Sequence, residues 1–304
     1  MGISYVKATA ETGAYGSGGG APSAATDGIK INDIDYTVDR GAMKEETTDS
    51  YTTNQILGGP LKISGSIGTN FRPTSQAPLL ASCLGTAVAG VYDIEEPTSA
   101  CLAIGEKVGS NTVERLLYGV GVNSIEFGFE AKEYVTAKYD FIACDIVDGT
   151  YDTSLTYPVE DPLVFWGATL DLSATTLYSK SVTLTIDRAL DEDQFVLGNY
   201  KLYRLTRTGI TDISGTLTIT EEQIPELNRA IYGTTAGTSM PVLDTLGTGT
   251  LTITCMRSSG AGGATFVIPV TYTSSSMKSS GVGEFEKSIE FSVVGNPTTF
   301  LTVS

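Results

Sequence analysis

One pattern occurs twice in this chain, and the repetition narrows the folds open to it. Asp39-Arg40 leads to Ile63-Ser64-Gly65-Ser66-Ile67, and Asp187-Arg188 leads to Ile213-Ser214-Gly215-Thr216-Leu217. Arg40 lies 24 positions before Ser64 and Arg188 lies 26 before Ser214, with a polar, loop-like insert between the motifs in each half. Two short stretches, residues 78–85 (PLLASCLG) and 225–233 (PELNRAIYG), follow at similar distances, each bracketed by Pro and Gly. Self-similarity of this kind decides architecture before any single motif does. At 304 residues the chain has room for two units of ordinary size, each with a core of its own.

The first 27 residues read as a flexible arm, because the run at 13–28 (GAYGSGGGAPSAATDG) offers too little apolar surface to offset the entropy of ordering. From Gly28 the chain alternates: Ile29, Ile31, Ile34, Tyr36 and Val38 predict a half-buried strand, and Leu61 to Ile67 its return. Between them, residues 41–60 lose periodicity and read as a long loop or an extended hairpin arm. Pro78 and Pro225 suit the first turn of short helices that Gly85 and Gly233 end. Stretches rich in Val, Ile, Phe, Tyr and Thr elsewhere suit antiparallel sheet. The turn-rich crossing near 148–162 divides a first β unit, 28–152, from a second, 163–304, with a linker at 153–162.

Chemistry is hard to place on these residues. The chain has no histidine, which removes Ser-His and Cys-His nucleophiles and most zinc sites. The carboxylates at 187–193 and 145–152 complete no calcium-loop spacing. Cys83, Cys101, Cys144 and Cys255 are too widely spaced for a zinc cluster or a disulfide scaffold and read as buried apolar residues. No cofactor, metal or catalytic residue is therefore expected, and the chain does not read as an enzyme. The net charge of −16, from 19 basic and 35 acidic residues, argues against affinity-driven nucleic-acid binding. No apolar run is long enough for a membrane span, and residues 1–13 lack the apolar region of a signal peptide.

Residues 163–219, with the strand ending Val182 to Arg188, the polar loop after it, the strand Ile213 to Ile219 and the helix 225–233, resemble the tail tube proteins of long-tailed, siphovirus-like bacterial and archaeal viruses. Tyr36 to Arg40, Leu61 to Ile67 and Pro78 to Gly85 match the same pattern more loosely. The resemblance implies a mainly β fold of two tandem antiparallel β-barrel or β-sandwich domains, related by internal duplication, each with a short flanking helix. It implies a structural virion protein, assembled in the host cytoplasm, that polymerises into stacked rings forming the conduit for DNA delivery. Because the unit is fused in tandem, three chains are expected to make a pseudo-hexameric ring.

Within that reading the partners are the chain itself, the tape measure, tail terminator and baseplate proteins, and DNA as transient cargo of an acidic lumen; no membrane is involved. The loops at 41–60 and 189–210 are assigned to assembly, with Met43, Tyr51, Ile56, Leu57, Phe195, Val196 and Tyr200 as apolar anchors. The repeat motif itself (Asp39, Arg40, Ser64, Gly65, Asp187, Arg188, Ser214, Gly215) marks the strand ends flanking those loops. Alternatives of the same β-rich composition are a baseplate or hub ring protein of this fold and a cell-surface β-sandwich binding module.

Overall fold

Alternating apolar and polar residues punctuated by glycine dictate strands along most of the chain. A computed structural model describes every residue except 1, 24–25, 46–54, 174, 220–223, 238–245, 261, 280–284, 296 and 298. In chain order its elements are β1 (Gly2–Ala10), β2 (Gly28–Ile29), β3 (Asp33–Glu45), β4 (Gln55–Asn70), α1 (Ala77–Leu84), β5 (Val91–Tyr92), β6 (Ala100–Val108), β7 (Asn111–Glu130), β8 (Thr136–Ala143) and β9 (Asp145–Gly149). The second half continues with β10 (Leu163–Leu172), β11 (Thr175–Thr176), β12 (Ser179–Asp187), β13 (Asp212–Ile219), α2 (Ile224–Tyr232), β14 (Thr248–Arg257), β15 (Gly263–Ser279), β16 (Phe285–Val293) and β17 (Leu301–Val303). The chain is thus mainly β, and the pairings are antiparallel throughout.

One sheet runs through both halves in the order β3, β4, β8, β7, β12, β13, β16, β15. Its inner face is apolar at every second residue over most of its length, with buried Lys287 in β16 and half-buried Ser275 in β15 as exceptions. A second layer packs behind it. In the first half that layer is β2, β1, β6, the early part of β7, and β9. In the second half, β11, β10, β14, the early part of β15, and β17 take the corresponding order. Both long strands cross from one layer to the other at a register shift, Val122/Ser124 in β7 and Tyr272/Ser274 in β15. A β-bulge lets one strand bend between sheets in this way.

The helices are short because their sequences stop them. Pro78 stands in the first turn of α1, and the N–H of Gly85, at φ 109°, donates to the Ala81 carbonyl at 3.0 Å. Gly233, at φ 78°, ends α2 with the same bond to Arg229, at 2.9 Å. Most buried apolar side chains form one continuous cluster across both halves, where the sequence suggested two cores. Its centre is aromatic: Phe127 meets Phe71 at 5.0 Å and Phe266 at 5.1 Å, and Phe266 meets Phe129 at 5.4 Å, all edge-on.

Two expectations change. Residues 2–10, read as part of a flexible arm, form β1, paired with β6 from Gly2↔Lys107 to Ala10↔Ala100. Four consecutive buried residues, Tyr5 to Ala8, hide the alternation that would have marked the strand. Lys7 is tolerated inside because its ammonium pairs with Asp152 at 2.7 Å and Glu114 at 3.8 Å. The glycine run beyond it is also placed: Gly16 and Gly18, both at positive φ, donate their N–H groups to the Glu11 carboxylate at 3.2 and 3.1 Å. The crossing at 153–162 carries no strand, but Glu160 is buried and accepts from the N–H groups of Thr74 (2.9 Å) and Ser75 (2.7 Å) ahead of α1.

Candidate assembly interface

The two halves meet edge to edge where β12 pairs with the later part of β7, from Ser181↔Glu130 to Asp187↔Ser124. On the inner face of this seam Val182, Leu184 and Ile186 oppose Phe129, Phe127 and Ile125, and all six are fully buried. Each such side chain contributes about 1.5–3 kcal/mol relative to exposure. The outer face is polar, with Ser181, Thr183, Thr185 and Asp187 opposite Glu130, Gly128, Glu126 and Ser124.

Arg188 closes the seam. Its N–H donates to the Asn123 carbonyl at 2.8 Å, and its guanidinium reaches across into the first half to the Glu95 carbonyl. The side chain is fully buried, and that burial holds its pKa below the ordinary arginine value. Asp187 turns the chain by accepting from the Ala189 N–H at 2.8 Å, and Asn123 Oδ1 accepts from Leu190 N–H at 2.8 Å.

The loop that follows, 189–210, lies against the first half of its own chain. Leu190 and Leu202 are buried with Ile142 and Cys144, and Tyr15 and Leu205 pack on them. Leu61 N–H donates to the Tyr200 carbonyl at 2.7 Å, and Lys62–Asp193 and Lys201–Asp145 ion pairs flank the contact. Among the anchors expected here, Phe195 is half-buried, whereas Val196 is 43% and the Tyr200 side chain 53% exposed. The buried anchors are Leu190 and Leu202. Alternation with buried Arg188, two residues earlier, is a sequence signal for Leu190, whereas Leu202 lies outside any strand and has none within the loop.

In the first half, the β3–β4 hairpin runs on past Arg40 to Glu45↔Gln55, so much of the 41–60 insert is an extended hairpin. Met43, Ile56 and Leu57 on it are half or more exposed, and Asp39 and Arg40 are exposed too. Tyr51 lies outside the described residues. Among the described residues the outer edge of β3 has no partner strand, and neither has the edge of β15 that faces away from β16 beyond Tyr272, whose N–H donates to the Gly247 carbonyl at 2.9 Å.

The glycines of the repeated motif have a steric reason. Gly65 pairs with Phe141 and Gly215 with Phe291 on the neighbouring strand. A Cβ at Gly65 would stand 2.3 Å from the Asp35 carbonyl oxygen and 2.7 Å from the Phe141 ring. At Gly215 the corresponding distances are 2.3 Å to the Thr183 carbonyl oxygen and 2.5 Å to the Phe291 ring. Ser64 and Ser214 beside them are exposed and half-buried on the polar face. All four cysteines are free and buried. Among the described residues no cluster of three or more metal-ligating side chains occurs, and no helix is long and apolar enough to cross a membrane.

Comparison with curated proteins finds no match. The family model for the phage tail tube protein matches residues 2–293, almost the whole chain, including both halves, the seam and the two unpaired edges. On that match the chain belongs to the phage tail tube protein family.

Proposed function

We propose that the chain is the repeating unit of the tube wall: copies join edge to edge into rings, rings stack, and the bore conducts DNA into the host at ejection. The observation that carries this reading is the eight-strand sheet whose two end strands have outer edges without a partner strand among the described residues. Open edges of that length invite uncontrolled pairing unless another chain covers them. Ring closure covers them all, and stacking of rings by heterologous contacts then propagates a filament.

The order of pairings in the first half, β3–β4–β8–β7, recurs as β12–β13–β16–β15 in the second, which supports two copies of one unit per chain. Three chains then make a pseudo-six-fold ring of about 24 strands, and at ~4.8 Å per strand its backbone diameter is at least ~37 Å. A bore of that size admits a DNA duplex after side chains are subtracted. The polar face of the sheet is its lining in this arrangement. It carries Asp33, Asp35, Asp39, Glu126, Glu130 and Asp187 against Lys62 and Lys138, together with many Ser and Thr hydroxyls. Negative charge facing DNA limits adhesion to the wall. Tape measure, terminator and baseplate proteins are the expected partners at the bore and the two ends.

Negative-stain microscopy of the purified protein tests the proposal. Long hollow tubes support the wall, single rings a hub component, and stable monomers at high concentration a β-sandwich binding module. Removal of residues 44–57 should abolish tube growth while leaving folded rings or monomers; unimpaired tubes would sink the assembly role of that hairpin.

A further inference from the structure

The seam inside one chain carries information about the joint between chains. We propose that the free edge of β3 pairs with residues 273–279 of β15 in a second copy, in the register that β12 keeps with β7, and that Arg40 is buried there as Arg188 is within the chain. The proposal rests on the ring-forming reading and specifies its contact.

Equivalent positions follow from the pairings. Phe141 stands opposite Val122 and Gly65, and Phe291 opposite Tyr272 and Gly215, with the same register shift beside each. Tyr36 is opposite Gly65, and Leu184 is opposite Gly215. Transferring the seam on this basis turns Thr185↔Glu126 into Thr37↔Ser276 and Asp187↔Ser124 into Asp39↔Ser274. The Arg188 N–H to Asn123 carbonyl bond becomes one from Arg40 to Thr273.

Burial shows which edge lacks its cover. Val182, Leu184, Ile186 and Arg188 are fully buried, whereas Ile34 and Tyr36 are only half-buried, Val38 is 42% exposed and Arg40 is exposed. The second difference lies beyond the strand end. Leu190 and Leu202 cover Ile142 and Cys144, but at the equivalent place in the second half Val294 is 65% and Ile210 is 92% exposed. The β3–β4 hairpin of the next copy, carrying exposed Met43, Ile56 and Leu57, occupies the position relative to them that the 189–210 loop occupies in the seam.

The test is a cysteine pair in the full chain. Arg188 N–H to Asn123 and Ala131 N–H to Lys180 mark the hydrogen-bonded pairs of the seam, so Thr185↔Glu126 is a non-hydrogen-bonded pair. Its counterpart places Thr37 and Ser276, both exposed, with Cα atoms ~4.5 Å apart, within disulfide reach. Assembled T37C/S276C should oxidise to covalent dimers and closed trimers, roughly tenfold more than T37C/S274C, which is slipped by two residues beyond disulfide reach. The native cysteines are buried, so the unsubstituted chain should give none. R40A should lose rings and tubes with the melting temperature of the monomer unchanged. Tubes that form normally with R40A, or that cross-link equally well at Ser274 or not at all, overturn the register while leaving the tube reading standing. An unsubstituted chain that forms neither rings nor tubes overturns both.

Discussion

Replacing Gly215 with Ala should destabilise the chain through a steric route that the same change at Gly58 lacks. The added methyl would stand 2.3 Å from the Thr183 carbonyl oxygen on β12 and 2.5 Å from the ring of Phe291 on β16. The first atom is backbone in a paired strand, and the second belongs to a side chain only 2% exposed, so neither has room to withdraw. Overpacking of this kind costs about 1–3 kcal/mol. With an unfolding entropy of ~2.1 cal/mol/K per residue, the melting temperature should fall by roughly 2–5 °C if the chain unfolds as one unit. Gly58, where a Cβ meets nothing within 4 Å, serves as the control. There Ala should be neutral or gain about 0.4–1 kcal/mol by restricting the unfolded chain. Trimming the ring with F291L should make G215A/F291L less damaging than the sum of its parts, a coupling of about 0.5–3 kcal/mol for residues in contact. Thermal or urea unfolding followed by circular dichroism reads all four. Equal stabilities for G215A and G58A, or strict additivity with F291L, would refute the steric account of the repeated motif.

Three further outcomes are expected. Lys7→Met should cost about 3–5 kcal/mol in urea unfolding, because it strands the buried Glu114 carboxylate without its cation. The Lys7 hydrogen bond also holds Asp152 down to about 2, below its ordinary value, so its contribution is present above pH ~4 and is lost as pH falls toward 2; K7M should flatten the stability profile in that window. Burial pushes the thiols of Cys83, Cys101 and Cys255 up to about 12 and Cys144 to about 11, so a thiol reagent at neutral pH should label the folded chain negligibly and all four sites after denaturation. Deleting residues 2–10 should prevent folding of the first half, seen as aggregation or lost cooperativity, since it uncovers β6 and removes fully buried Val6.

What the sequence disclosed and what it concealed differ by physical cause. The Ser-Gly elements were legible because sterics fix their glycines: Gly65 and Gly215 must lack a Cβ under Phe141 and Phe291. Pro78 with Gly85 and Pro225 with Gly233 bounded the helices for equally local reasons. Strand β1 was hidden because both of its faces are covered, so residues 5–8 show no period, and because Lys7 is made acceptable by Glu114 and Asp152, more than a hundred residues away. The glycine run at 13–20 looked entropic. Its glycines instead supply positive φ and close approach, Gly18 against the ring of Tyr118 and Gly16 against Cys144. The 189–210 loop, read from sequence as an assembly loop, packs against the first half of its own chain. Its buried residues are set by Ile142 and Cys144 in the other half, and nothing local to the loop distinguishes Leu202 from Val196.

Fusion of two such units changes the energetics of closing a ring. Association between separate chains forfeits about 4–15 kcal/mol of translational and rotational freedom for each chain that joins. In the proposed three-chain ring every second joint is the β7–β12 seam, which forms as the chain folds and whose partners are held together by covalent linkage. A ring of six separate units would take five such losses and the three-chain ring takes two, so the other three are moved into folding, where the shared aromatic core of Phe71, Phe127, Phe129 and Phe266 offsets them. The same fusion makes the two edges unequal: β12 is always covered, while β3 must remain soluble until a partner arrives. In that proposed ring the difference would account for Asp33, Asp35, Thr37 and Asp39 alternating with Ile34, Tyr36 and Val38 of β3, because charge on an open edge discourages irregular pairing yet leaves the apolar face available to the correct strand. Neutralising that edge, as in D33N/D35N/D39N, should therefore raise irregular aggregation of the monomer, measured by light scattering. Ordered tubes formed faster and without aggregates would show instead that the carboxylates do not guard the edge.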